Sequence, residues 1–419
     1  MYLTGSLLKR FITSAGPTEI PPQFLYWAGL TMLAAVLQRN VWFDQTGWGR
    51  IYPNLYTILI GPGASGKGQA INFANMYLHS AVTKKALPLK VLRGRVTFAA
   101  LYEAMRVSND GGSQPLFLIT PELSNGFGRK DMAKEIVTTL TDIYESHAYT
   151  PYTKYTKMDG AVTLKEPCVT WIAGSTKAGF NEVIDMNDVG NGFTGRVALV
   201  TGDYAAARVP NRDKVLFNTH IEHIIAGLMC AGQQFQGEMY FSEEAQALYN
   251  TWYLDRPAVH DETLQPGWHR LPVTVQKLSM IHQISQQVFA PDFTEWRNMP
   301  ARVLRLAIRD AEAMLTLAGE FMDYFTAATN NPLMTLMIEY LRPRGQCYET
   351  ELFLRFKEVE AALALGRLIN IGVVEKRLAK VRGKERILLS WRKEGEYALE
   401  QFQQQNTPRK PLLSDEEEF

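Results

Sequence analysis

Gly61, Gly66 and Lys67 stand at the spacing of a phosphate-binding P-loop, G-x-x-x-x-G-K-[ST], in the stretch Gly61-Pro62-Gly63-Ala64-Ser65-Gly66-Lys67-Gly68-Gln69. In such a loop, backbone N–H groups surround phosphate oxygens, the lysine reaches the outer phosphates, and a hydroxyl after the lysine holds Mg²⁺. Here that last position is Gly68. The chain thus keeps a cradle for ATP and lacks one protein ligand for its Mg²⁺, leaving the cation to the nucleotide itself. The structural alternative is a glycine-rich turn with a stray lysine, and the flanks argue against it. Residues 54–60 are apolar and rich in β-formers, and Ile71, Ala74 and Leu78 follow the lysine at helical spacing.

Five further features accompany that loop. Residues 115–120 run as an apolar strand into Glu122, a carboxylate suited to orienting and activating water. The residue before it is Pro121, where an aspartate would be a second magnesium anchor. Glu122 could instead serve a helix start. The apolar strand 168–174 ends in Ser175-Thr176, either a contact to the terminal phosphate or a helix N-cap. Arg196 precedes another apolar strand, the place of an arginine finger inserted into a neighbouring subunit's nucleotide, or simply a surface arginine. Arg270 opens a helix and is a candidate for reaching the phosphates from a helical lid. Between Glu122 and Ser175, alternating Tyr, Thr and Val around Asp159-Gly160 predict a hairpin over 152–164. Its Lys154, Tyr155 and Lys157 interleave aromatic and basic groups, which suits tracking a nucleic-acid backbone. An ordinary solvated hairpin reads the same way.

The elements that must position these residues follow from pattern. Strands are expected at 54–60, 89–93, 115–120, 168–174 and 196–201, with helices at 67–82, 97–107, 129–146 and 177–186. This alternation predicts an α/β fold, a parallel sheet with helices on both faces. Residues 1–50 read as an N-terminal helical region, with a long helix opening at Pro21-Pro22, and 51–210 as the P-loop core. Residues 211–330 read as a helical lid with helices at 212–231, 243–255, 271–289 and 300–327. Residues 331–395 hold three short helical stretches and then a β-hairpin with the basic tip Arg382-Gly383-Lys384, the order of a winged helix-turn-helix. Its Lys376, Arg377, Arg382 and Lys384 are candidate phosphate contacts, although the third helix has only Arg367 to offer bases. Residues 396–419 read as a flexible acidic tail.

Bulk composition narrows the class. With 419 residues, 46% of them hydrophobic and 21% charged, the chain has the make-up of a globular protein. A net charge of +1 confines any nucleic-acid contact to local patches. Cys168, Cys230 and Cys347 are far apart and show no metal-ligand spacing, which argues against disulfide and zinc frameworks. The most apolar run, 24–37, is too short to span a bilayer. No signal peptide is expected, and a cytosolic location is.

The order of these parts resembles AAA+ ATPases that carry a hairpin just before the sensor strand, of which the minichromosome-maintenance helicases are best known. More closely, Thr120-Pro-Glu-Leu-Ser124, Leu140-Thr-Asp-Ile-Tyr144 and Gly192-Phe-Thr-Gly-Arg196 are similar to P-loop ATPases of phages, prophages and plasmids, often described as replicative helicases or helicase–primase parts. The resemblance covers roughly residues 20–290. It implies that Lys67 binds phosphate, Glu122 is the catalytic glutamate, Ser175 or Thr176 is the sensor, and Arg196 acts in trans. It also implies a DNA-tracking hairpin at 152–164, ATP with Mg²⁺ as cofactor, and a host-cytosol location. Partners would be single-stranded DNA, further copies in a hexamer, and a primase or other replication protein.

Four readings compete. The first is an ATP-driven ring motor on DNA. The second is a weakly hydrolysing initiator, loader or scaffold, motivated by Gly68 and Pro121. The third makes the C-terminal module a DNA-site binder. A nucleotide or small-molecule kinase is the fourth, but it has no use for the hairpin or the C-terminal module.

Overall fold

The structure is a computed structural model. It describes residues 5–392 except 46–48, 85–86, 107–112, 128–129, 146–151, 157–159, 185–191, 205–207, 211–213, 258, 260–263, 291–294, 329–331, 357–364, 366–367, 370–373 and 382–383. Chain order begins α1 (Leu7–Ser14), α2 (Pro22–Leu37), β1 (Val41–Asp44), β2 (Arg50–Ile51), β3 (Tyr56–Ile60), α3 (Lys67–Thr83) and β4 (Lys90–Arg93). It continues α4 (Phe98–Met105), β5 (Leu116–Thr120), α5 (Leu123–Gly126), α6 (Lys130–Ile143), β6 (Tyr152–Thr156), β7 (Gly160–Leu164), β8 (Val169–Ser175), α7 (Lys177–Val183) and β9 (Val197–Thr201). Four long helices follow, Lys214–Gln234, Glu243–Asp255, Gln265–Gln287 and Ala301–Ala328.

The five expected strands pair into one all-parallel sheet in the order β4-β5-β8-β3-β9. β3, β5 and β8 are buried along their whole length, as unbroken apolar runs in a parallel sheet covered on both faces must be. The register sets the carboxyl ends almost flush. Ile60 pairs with Ser175 on one side and Thr201 on the other, and Thr120 pairs with Ala173. The groups that follow these strands therefore meet along one edge. β6 and β7 pair antiparallel as a separate hairpin between α6 and β8. Gly160 already belongs to the second strand, opposite Thr156.

α2 is apolar on every side, and a helix of that kind has to be covered all round. It lies on the sheet beside α3 and under the helices Lys214–Gln234 and Gln265–Gln287. Its one polar residue at the sheet, Thr31, is satisfied by Thr57 Oγ1 at 2.8 Å and by the Trp27 carbonyl at 2.7 Å. The opposite face of the sheet is filled around Trp171, whose ring meets Tyr56, Phe127 and Phe193 with centroids 5.8, 5.5 and 6.1 Å away. One core cluster extends from Leu7 to Met314. Residues of 1–50, 51–210 and 211–330 thus contribute to one core, in which α2 is buried. The chain divides into two compact units, Met1–Phe321 and Met322–Phe419.

The second unit contains the helices Pro332–Leu341 and Glu349–Arg355, helical backbone at Leu365, Leu368 and Ile369, and the hairpin Val374–Val381/Lys384–Trp391. A strand not expected from the sequence, Gln346–Tyr348, pairs with the hairpin's second strand. Met337, Leu341, Cys347, Leu352, Leu365, Leu368, Val374 and Leu389 form its core. The predicted acidic tail, 396–419, lies outside the described residues.

The helical layer of the first unit is tied down by one buried carboxylate. Asp310 Oδ2 accepts from Tyr26 Oη at 2.5 Å on α2 and lies 2.8 Å from His282 Nε2, while Arg309 donates to Oδ1 at 2.9 Å. Burial alone would raise its pKa, but the bonds to His282 and Tyr26 and the charge of Arg309 outweigh burial and hold it below the usual range. The ionised form is therefore favoured by folding, so its contribution is present above the ordinary aspartate range of about 4 and is lost as pH falls below it. We predict that Asp310→Asn lowers stability by about 2 kcal/mol at pH 7. The gap to wild type should narrow at pH 3, and urea unfolding at both pH values measures it.

Candidate functional site

The P-loop begins where β3 ends. Ala64 and Gly66 both take left-handed backbone, with φ of 62° and 90°, which turns successive N–H groups of the loop toward one side. Gly66 caps α3, so the unpaired N–H groups and positive end of that helix face the same point. Lys67, the first residue of α3, is 6% exposed and folds back over the loop. Its Nζ donates to the Gly61 and Pro62 carbonyls at 2.8 and 2.6 Å. Burial lowers its pKa, and the charge of nearby Glu122 opposes that shift. The loop is seated from behind by the start of α2. A Cβ on Gly66 would stand 3.2 Å from Ile20 Cα, and one on Gly61 only 2.5 Å from the Gly202 carbonyl and 3.3 Å from Phe24 Cζ. Glycine is thus required at 61 by close backbone approach and at 66 chiefly by its left-handed dihedral angle.

β8 lies between the P-loop strand and the strand of Glu122, so its end sits between them. Glu122 precedes α5, but its side chain makes no capping hydrogen bond, so the helix-start role does not occupy it. Glu122 Oε1, Ser175 Oγ and Thr176 Oγ1 stand 3.5, 3.2 and 3.2 Å from the point a Cβ on Gly179 would take, so the three converge around one small gap. The two hydroxyls differ in what they do. Thr176 caps α7, accepting from Gly179 N at 3.0 Å. Ser175 Oγ is fully buried and has no hydrogen-bond partner. Of the two sensor candidates, Ser175 is the one left free for a ligand.

The residues present fit a triphosphate well and a protein-ligated cation poorly. Gly68 offers no hydroxyl and Pro121 no carboxylate. Among the described residues no group of three or more His, Cys, Asp or Glu is placed to hold a metal ion. A Cβ at Gly68 would meet nothing within 4 Å, so the missing hydroxyl is not excluded by space.

Arg196 and Arg270 meet at the opposite end of the sheet. Arg196 precedes β9, whose first residue pairs with Tyr56 at the start of β3, roughly 13 Å along the strand from the P-loop. Its Nη1 donates to the Gly192 carbonyl at 3.0 Å, and its side chain is only 13% exposed. Arg270 is drawn to the same place because the first turn of Gln265–Gln287 packs tightly on Gly195. Glu145 Oε1 lies 3.7 Å from Arg196 Nε and 3.6 Å from Arg270 Nε. Burial and the neighbouring Arg270 lower the Arg196 pKa, opposed by Glu145. The helix that carries Arg270 thus begins at the end of the sheet opposite the P-loop of the same chain. Behind this cluster, the fully buried Lys277 donates to Asn54 O and Oδ1 at 3.2 and 2.8 Å and lies 3.9 Å from the Tyr144 ring centroid. Burial pushes its pKa down to about 8.

The expected DNA contacts that are described fall on two hairpins. Lys154 and Tyr155 fall on β6, and Lys384 falls on the last strand of the C-terminal hairpin. Lys157 and Arg382 lie outside the described residues. Lys376 is paired with Glu349 at 2.8 Å and Arg377 with Glu375 at 2.7 Å, surface pairs weak enough for phosphate to compete with. Sequence reasoning missed Ile20 and Phe24 behind the loop, Tyr204 on its outer side and Glu145 between the arginines. Only the helix start at Pro21-Pro22 gave any signal, and it pointed to secondary structure. No protein-family model and no curated protein matches the chain. No described helix is long and apolar enough to cross a membrane.

The division of labour between the two hydroxyls has an energetic consequence. Thr176→Ala removes a cap and should cost about 1 kcal/mol of stability. Ser175→Ala removes a buried hydroxyl without a partner and should leave stability equal or higher. Urea midpoints of the two variants check this; an equal loss in both refutes the assignment.

Proposed function

We propose that the chain is an ATP-dependent oligomeric motor on DNA, an AAA+ ATPase of the type phages and mobile elements use as replicative helicases. One observation carries the reading. The carboxyl edge of the sheet gathers Lys67, Glu122 and Ser175, while Arg196 and Arg270 lie at the other edge, too far to serve the same nucleotide. A sensor strand between the P-loop strand and the carboxylate strand is what the AAA+ resemblance requires. Arginines turned away from their own loop have a use when a second copy brings its nucleotide to them, which implies a ring, and a hexamer is the expected one.

On this reading the loop N–H groups and Lys67 hold the triphosphate and offset its charge. Glu122 orients a water for in-line attack on the terminal phosphorus and accepts its proton. Ser175 bonds the terminal phosphate. Arg196 and Arg270 of the adjoining copy stabilise the charge that develops as the bond to the leaving diphosphate breaks. Bound Mg²⁺ would supply further charge neutralisation, held by phosphates and water. The hairpin β6–β7 and the basic hairpin of a C-terminal winged helix are the proposed DNA contacts. The two helices, the helical backbone at 365 and 368–369, and the three-stranded sheet of the second unit support the winged-helix reading.

Mixing separates this from a single-chain site. Lys67→Ala and Arg196→Ala should each lose nearly all ATPase activity. An equimolar mixture should regain part of it, because a Lys67→Ala subunit can lend its arginines to an intact loop. Turnover is measured with and without single-stranded DNA, and strand displacement follows from the same mixtures. A wild type no more active than Lys67→Ala overturns the motor.

Gly68 and Pro121 favour a second reading, a ring that binds ATP and hydrolyses it weakly as an initiator, loader or scaffold. A serine at 68 has room, and Gly68→Ser is expected to raise steady-state turnover several-fold. Turnover equal to wild type would take away the main support of this second reading.

A further inference from the structure

The phosphate loop holds a conformation that its own sequence disfavours. Ala64 carries a Cβ at φ 62°, in the left-handed region that L side chains rarely enter. Gly63 just before it has nothing within 4 Å of where a Cβ would be, so no packing holds the apex on that side. What reaches the apex comes from the end of β9. Gly202 N donates to the Ile60 carbonyl at 2.9 Å, continuing the sheet one residue past the strand. Its own carbonyl lies against Gly61, in the place a Cβ there would need. Asp203 Oδ1 accepts from Tyr204 N at 2.9 Å and turns the chain over the loop. The Tyr204 hydroxyl then donates to the Gly63 carbonyl at 2.9 Å.

That bond fixes a peptide plane. In a trans peptide the C=O and the next N–H point in opposite directions. With the Gly63 carbonyl drawn outward to Tyr204, the Ala64 N–H is aimed the other way, into the cradle. We propose that Tyr204 is a positioning residue for nucleotide binding, bracing the strained Gly63–Ala64 peptide from outside so that the Ala64 N–H is pre-aimed at phosphate. The proposal rests on the nucleotide reading above. Tyr204 is 62% exposed, so the role belongs to its hydroxyl and owes little to burial of the ring. An exposed side chain of this kind contributes little to global stability, which separates positioning from a structural role.

Equilibrium binding of ATP and of inorganic tripolyphosphate to the full chain tests this in wild type, Tyr204→Phe and Tyr204→Ala. Both variants should bind both ligands more weakly by a similar factor, about three- to tenfold, the loss of one hydrogen bond. Thermal unfolding should be unchanged. Tyr204→Phe binding like wild type overturns the brace, as does a loss in Tyr204→Ala confined to ATP, which would put the ring on the base instead. A wild type that binds neither ligand overturns the nucleotide reading, and the brace with it.

Discussion

The structure depends on covering one helix. α2 has no polar face, so water must be excluded from its whole circumference. The sheet supplies one wall, and the helices Lys214–Gln234 and Gln265–Gln287 supply others. That closure makes a single unit of the N-terminal helices, the sheet and the long helices. It also seats the functional loop. The start of α2 presents Ile20, Pro21 and Phe24 to Gly66, Gly61 and Gly202, so the helix that organises the core is the surface against which the P-loop is pressed.

A parallel sheet then divides the chemistry by direction. All five strands point one way, so whatever follows a strand gathers at one edge and whatever precedes one gathers at the other. Lys67, Glu122 and Tyr204 follow strands and Ser175 ends one; Arg196 precedes one. The interposed β8 puts Ser175 between lysine and carboxylate, and the tight approach of the Pro121 carbonyl, 2.5 Å from where a Cβ on Gly174 would be, explains a glycine late in a buried strand. At the far edge Glu145 balances one of two convergent guanidinium charges. Asp142 also interacts with Arg196, so two carboxylates and two guanidinium groups share this partly desolvated place.

Much of the fold was legible because its signals are local. Apolar runs at 54–60, 115–120 and 168–174 announced buried strands, and their observed counterparts differ mainly by a trimmed first residue or two. The helix expected at 271–289 begins earlier, at Gln265; Pro266 lies in its first turn, where proline is tolerated, and Pro272 lies inside it. The strand Gln346–Tyr348 escaped notice because three residues carry no period; only its pairing with Leu388–Ser390 makes it a strand.

For the site, the sequence by itself determined the parts. Glycine and lysine spacing predicted a phosphate loop, Gly68 and Pro121 stand where that pattern carries its magnesium ligands, and Glu122, Ser175, Thr176 and Arg196 stood at strand ends where side chains are presented. Tertiary structure alone decided how those parts divide. It gave Thr176 to a helix cap and left Ser175 free, set Arg270 beside Arg196, and brought Tyr204 onto Gly63. The reason is physical. A strand end or a P-loop is written in neighbouring residues, whereas strand order, register and helix direction follow from burying α2 and the sheet together. Contacts such as Tyr204 to Gly63, 141 residues apart, exist only once that burial is complete.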